Sequence, residues 1–481
     1  MRQWIIFLIV STLLLTVNCS NSTRNGFSLA EARAVAQQAW EATYPAIEAR
    51  IQPPSFPDRE VFITTFGADT TAQYDNRPVI QAAIEQCAAE GGGRVVVPAG
   101  NWWVDGPLHL RSNINLHLQE GAKIYFGSNP EQYLPLVKVR WEGTVCWSYS
   151  PFIYAFEAEN IAITGAGEVD GQAQAWSKQW RKKQKPDKKR LRQMGNDLVP
   201  EDQRVFGNGF LDLDGDGQDD GFGDGQQHWL RPTLVELYNC KNILLEGVRF
   251  RNSAFWTIHP VFSQNITIRN LKIEGGYLND DGIDPDSCED VLIEDCRIET
   301  EDDAISIKAG RDQDAWNRPP SQHIIVRNCT LNSGVNAFCI GSEMSGGVQQ
   351  VFVHDCRILS GKHGLNFKCN LDRGGRVADI FFRQLTFDHL AEALLIFRMD
   401  YHGYRGNNYP TKFERFFVQD VTAQRIDSLA FKIVGVEAAP IEKILLDDIR
   451  IQQAGRAGEL AHTEAILWQN VFINGEAWEG N

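Results

Sequence analysis

The chain lacks several features that would point elsewhere. No CxxC pair occurs among its 10 cysteines, which removes the usual zinc signature. Methionine is scarce at 4. There is no basic excess: 47 Lys and Arg stand against 62 Asp and Glu, a net charge of -15. That balance excludes nucleic acid or an anionic membrane as a natural partner. Beyond residue 15 no apolar run is long enough to span a bilayer. The LxxLxL signature of leucine-rich repeats is also missing. What is present is an ordinary soluble composition, 43% hydrophobic and 23% charged, with 41 glycines that suit many turns between short strands.

The first residues read as a targeting segment. Arg2 precedes an apolar run, Trp4 to Leu15, and Cys19 follows. This pattern resembles a bacterial lipoprotein signal over 1–19, with Cys19 lipidated. The expectation is an exported protein, periplasmic or outer-membrane-anchored, that meets a membrane only through that lipid. A helical extension over 20–61 and one β-domain over 62–481 are expected to follow, as a monomer.

The second half repeats itself. Ile243-Leu-Leu-Glu-Gly-Val, Ile266-Thr-Ile-Arg-Asn-Leu, Val291-Leu-Ile-Glu-Asp-Cys and Ile324-Ile-Val-Arg-Asn-Cys are near-copies. Four more begin at Val351, Ile380, Phe416 and Ile444, with weaker units at Ile114 and Ile161. Unit spacings run from 23 to 36 residues. A strand and a polar turn at such a period predict an all-β fold, a parallel β-helix whose coils stack about 4.8 Å apart. Cys296, Cys329 and Cys356 share one place in the repeat, so they read as small buried stacking residues rather than disulfides. Ser28 with Glu31 forms a capping-box pattern for a helix reaching about Tyr44. A second helix is expected over 75–90, and an amphipathic helix here would plug the open end of the coil. The Lys- and Arg-dense stretch 178–192 reads as an exposed loop.

Residues 277–308 hold twelve carboxylates in thirty-two positions. Asp280, Asp281, Asp284 and Asp286 form one cluster; Glu301, Asp302 and Asp303 form another. A strand between them would place both clusters on neighbouring rungs. Crowded carboxylates raise one another's pKa, a cost best repaid where acid and base share a site. Solvated loop acids are the plainer alternative. Adjacent strand residues point to opposite faces, so Asp302 and Asp303 can share a site only at a bend.

NDDGID at 279–284 and EDDAISIK at 301–308 resemble motifs of glycoside hydrolase family 28, the polygalacturonase family. FGA at 66–68, GGGRVVVPAG from Gly91, SAFWTIHP from Ser253 and IGSEMSGGV from Ile340 support the likeness. The resemblance implies a right-handed parallel β-helix with a helical cap, and an inverting hydrolase of α-linked galacturonide or related uronide bonds in pectin-like polysaccharide. It implies Asp302 as the general acid, Asp281 and Asp303 as the pair that activates water, and no cofactor for catalysis. Inversion ordinarily sets two carboxyls about 6.5–9.5 Å apart. Two departures stand out. The family's Gly-His-Gly is absent ahead of Ile340, and its Arg-x-Lys reads Asn366-Phe367-Lys368, so Lys368 remains as a lone cation. His363 is a candidate for the missing His, with a surface-turn His as the favoured alternative. Asn279, Lys308, Lys368, His259, His363 and Asn366 are the candidate substrate-binding residues, with Trp256 lining a cleft or packing in the core. Asp280 is read as support.

Inserted loops over 176–228 would block one cleft end and make the enzyme exo-acting. Within them Asp212, Asp214, Asp216 and Asp220 match the opening of a calcium loop, though the closing Glu is missing. It reads as a structural calcium site or a flexible acidic loop. The rival functions are a lyase on the same fold and a non-catalytic glycan-binding β-helix.

Overall fold

A computed structural model describes residues 27–71 and 74–480; the expected lipoprotein signal and Cys19 lie outside them. Long columns of parallel pairing dominate. Ile243 pairs with Ile266, and the column continues through Val291, Ile324, Val351, Ile380 and Phe416 to Ile444. The repeated units therefore stack in the register in which they align by sequence. The weaker unit at Ile161 joins the same column. This is a right-handed parallel β-helix, as expected.

The turns explain the recurring Asn and Asp. Asn270, Asp295, Asn328, Asp355, Asp420 and Asp448 all adopt positive φ. Asn and Asp tolerate this left-handed conformation better than other residues with a Cβ. After each turn the chain buries a small or branched residue. Cys296, Cys329 and Cys356 occupy that place, between 1% and 3% exposed. Every cysteine among the described residues is buried and unpaired.

Two helical pieces precede the coil and do different jobs. Helix α1 (Leu29–Gln38) starts at the expected Ser28–Glu31 capping box. It runs through a π-turn, Ala39–Thr43, into α2 (Tyr44–Arg50). Together they lie along the side of the coil, burying Ala32, Ala36 and Ile47 against Leu292, Ile325, Phe352, Phe381, Phe417 and Leu445. Trp40 meets Phe352 edge-on at 5.0 Å. Helix α3 (Arg77–Ala89) is the end plug, contributing Ile80, Ala83, Ile84 and Cys87 to the main core. The stretch 178–192 is not a loop. It falls in α4 (Gln174–Lys183) and α5 (Lys185–Asn196). Trp176, Trp180 and Leu191 bury one side of the pair. The basic residues occupy the other side, where Lys188 and Arg192 reach Glu142 at 2.5 and 2.6 Å.

Candidate active site

Both acidic segments sit at bends of adjacent coils. Asp302 and Asp303 fall between strands Arg297–Thr300 and Ile305–Ile307, the bend that a shared site requires. The coil before it brings Asp281 alongside, because the Gly282 N–H donates to the Asp303 carbonyl at 2.9 Å. Gly282 has to lack a side chain: a Cβ there would lie 2.5 Å from the Ala304 carbonyl oxygen. Asp280 staples the two bends. Its carboxylate accepts from the backbone N–H groups of Gly276, Tyr277, Glu301 and Asp302 at 2.6 to 3.1 Å. Carboxylate oxygens of Asp281, Asp302 and Asp303 all lie within 4.8 Å of one another.

The three carboxyls differ in what surrounds them. Asp303 is 1% exposed and fully engaged: Lys368 Nζ donates to Oδ2 at 2.8 Å and Asn336 Nδ2 donates to Oδ1. Burial pushes its pKa up, but Lys368, Lys308 and these hydrogen bonds outweigh it and hold the group below the usual carboxylate range. Asp302 is partly exposed. It accepts from Asn279 N–H and Nδ2 at 3.2 and 3.3 Å. Burial and the neighbouring Asp303 push its pKa up to about 6. Asp281 is pushed well up by burial, then by Asp284 and Asp302. Asp284 rises to about 7, chiefly from burial. Lys308 lies 3.4 Å from both Asp281 and Asp284 and 4.2 Å from the Trp256 ring centroid. Four carboxyls face two ammoniums, and Asp281, Asp284 and Asp302 are pushed up while Asp303 is held down. Neighbouring carboxyls pushed apart in this way suit acid–base chemistry.

The sequence candidates separate into layers. Asn279, Lys308 and Lys368 touch the carboxylates directly. Asn279 is oriented by the buried Arg231, whose Nη2 donates to its Oδ1 at 2.7 Å. His363 is not a surface-turn residue: it is 5% exposed and, with Asn366, points at Asn336. His259 does not line a cleft. It is fully buried between Glu236 and Asp286, 3.4 Å from each. Burial lowers its pKa, but those two carboxylates win and raise it to about 9. Trp256 packs in the core, stacked on Phe255 at 5.1 Å. Asn336, Glu392 and Arg231 carry no motif and were not legible as site residues. Asp284 was inside NDDGID and could have been singled out.

In the acidic insertion, Asp212, Asp214 and Asp216 bring carboxylate oxygens within 4.8 Å of one another. Asp212 is 3% exposed and accepts from the Gly215 and Gly217 N–H groups. Asp220, expected with them, is not in that group; its Oδ2 accepts from the Leu213 N–H at 2.7 Å.

A parallel coil that crowds Asp281, Asp302 and Asp303 at the bends of two adjacent coils is an arrangement that acid–base hydrolysis can use. The comparisons with known proteins give the family. Glycosyl hydrolases family 28 matches residues 201–466. A hyperthermoactive exopolygalacturonase from Thermotoga maritima superposes with a TM-score of 0.84 at 35% identity, over 92% of this chain and 97% of that one. A probable polygalacturonase from Vitis vinifera is 28% identical over 87% of this chain and 78% of its own. An exo-poly-alpha-D-galacturonosidase from Dickeya chrysanthemi is 27% identical over 75% and 62%. The chain belongs to glycosyl hydrolases family 28 and is a glycoside hydrolase.

Proposed function

We propose that the enzyme hydrolyses α-linked galacturonide bonds in pectin-like polysaccharide from one chain end, with inversion. The observation that carries this reading is the crowding of Asp281, Asp302 and Asp303 at two adjacent bends, with Asp303 held by Lys368 and Asn336 and Asp302 partly exposed. Asp302 gives its proton to the leaving glycosidic oxygen. Asp303, ionised, takes a proton from the attacking water, and Asp281 helps hold that water. Lys308 and Lys368 offset the negative charge that would otherwise repel a uronate.

Exo action is supported by the inserted helices. Gln184, between α4 and α5, accepts from Arg231 Nε at 3.0 Å, and Arg231 holds Asn279 on Asp302, so the insertion is built into one side of the site. Beyond Lys368 a cavity of about 520 Å³ is lined by Arg398, Tyr401, Tyr404 and Lys432, room for the rest of the substrate. One oxygen of each of Asp281, Asp302 and Asp303 lies within 4.8 Å of the others, and product stereochemistry tests inversion directly. In a time course on polygalacturonate followed by NMR, the first-formed product should be short, uniform and of inverted configuration. Mixed oligomers from the start would refute exo action, and a first-formed product of retained configuration would refute inversion.

Two further proposals concern the rest of the chain. Asp212, Asp214 and Asp216 hold a structural calcium that takes no part in the chemistry; Asp212 is pushed up by burial and by its two neighbours, a strain that a cation relieves. Millimolar calcium after chelation should raise the melting temperature, and Asp214→Asn with Asp216→Asn should abolish that rise; no calcium effect on the wild type would sink it. The protein is exported as a lipoprotein. Intact mass of the mature form should show acylated Cys19, and an unmodified N-terminus would exclude the anchor.

A further inference from the structure

Behind Asp303 a line of hydrogen bonds crosses three coils and ends at the surface. Asn336, His363 and Ala393 are register partners on consecutive rungs. Gly361 pairs with Leu390 and His363 with Ala393, so the facing strand carries one extra residue in the stretch that holds Glu392. Bulges near active sites characteristically re-aim a side chain, and here the extra residue lies beside the carboxylate that meets the imidazole. Nδ1 lies 2.8 Å from Asn336 Oδ1, and Nε2 lies 2.9 Å from Glu392 Oε2. The Glu392 side chain is 56% exposed.

The proton positions follow from chemistry. An ionised Asp303 only accepts, so Asn336 must turn its amide Nδ2 toward it. Asn336 Oδ1 then faces backward and needs donors. Asn366 Nδ2 supplies one at 2.7 Å, and His363 supplies the other through Nδ1–H. With Nδ1 protonated, Nε2 either shares or holds a proton against Glu392. Without Glu392 the neutral imidazole is free to carry its proton on Nε2 instead. Nδ1 would then present a lone pair to Asn336 Oδ1, and the amide would lose its reason to face Asp303.

We infer that Glu392 and His363 are positioning residues: a second proton held between Nε2 and Glu392 keeps Nδ1–H on Asn336, and through Asn336 the line holds Asp303 on the water. The inference rests on the hydrolase reading above, with Asp303 as base. Neither residue touches the reacting atoms.

The test compares Glu392→Ala, Glu392→Gln, His363→Ala and the double alanine variant on polygalacturonate, with melting curves for each. Glu392→Ala should lower kcat about tenfold and leave KM within about twofold. Glu392→Gln should recover most of the rate, because its amide N–H satisfies Nε2 and preserves Nδ1–H. The double variant should be no slower than His363→Ala, since both act through one line. A Glu392→Ala enzyme of unchanged kcat, a Gln variant as slow as the Ala variant, or additive losses would overturn the inference. So would a loss confined to melting temperature. Long-range proton–nitrogen spectra of histidine-labelled wild type should show His363 protonated at Nδ1; a bare Nδ1 overturns it independently of activity. A wild type inactive on every uronide would defeat the hydrolase reading instead, while the imidazole spectrum still decides the hydrogen-bond line.

Discussion

Asp302→Asn should leave the fold intact and lower kcat roughly 10³-fold. The amide keeps the size of the carboxyl and its acceptor oxygen for Asn279, so oligosaccharide binding should persist. What it loses is the proton. In the wild type that proton is present while pH stays below Asp302's raised pKa, at about 6. The rate should fall as pH rises through that value. Asp303, held below the usual carboxylate range, must be ionised, so it sets the acidic limb. The resulting bell should have its alkaline side near 6. The residual rate of Asp302→Asn should lose this alkaline limb. A variant within tenfold of wild type, or one that keeps the limb at 6, would remove Asp302 from the role of acid.

The repeat was legible because parallel stacking forces like residues into columns. Each unit must place apolar residues inward at Ile243, Ile266 and Val291 and put a left-handed residue at Asn270 or Asp295, and sequence records both demands. The side strap was harder. Leu292, Ile325, Phe352, Phe381 and Phe417 point away from the coil, so these strands carry apolar residues on both faces. That double pattern is the mark of a covered sheet, but it does not say which segment supplies the cover, and only an end cap was expected. In the insertion, basic density hid the helical spacing of Trp176 and Trp180, one turn apart on the buried side. The carboxylates were readable from their motifs because Gly282 and the bend at Asp302 are local requirements. His363 was readable as a candidate, but its link to Asn336 and Glu392 was not, since the three meet only once the register of one coil is set against its neighbours.

Lys368→Met should produce the second large effect, and it separates electrostatics from substrate binding. The Lys368 ammonium is buried beside Asp303 at 2.8 Å, with side chains 8% and 1% exposed. Methionine keeps the length and removes the charge. A buried carboxylate without its partner does not stay charged; it takes up a proton. Asp303's pKa should therefore climb, and the acidic limb should move up toward the alkaline limb at about 6. With acid and base no longer split, kcat/KM should fall about 10²- to 10³-fold at the optimum, an allowance of roughly 3–4 kcal/mol. Stability gives the sign independently. In the wild type Asp303's depressed pKa contributes stability above the unfolded-state value, and that is lost as pH falls through the folded value. In the variant the group is raised instead, so the deficit should be largest at neutral pH and shrink on acidification. Urea unfolding at pH 4.5 and 7 would measure it. Adding Asp303→Asn to Lys368→Met should restore stability at neutral pH and leave activity lost. If Lys368→Met raises only KM, with the acidic limb and the pH dependence of unfolding unchanged, then Lys368 grips the uronate alone and something else keeps Asp303 ionised.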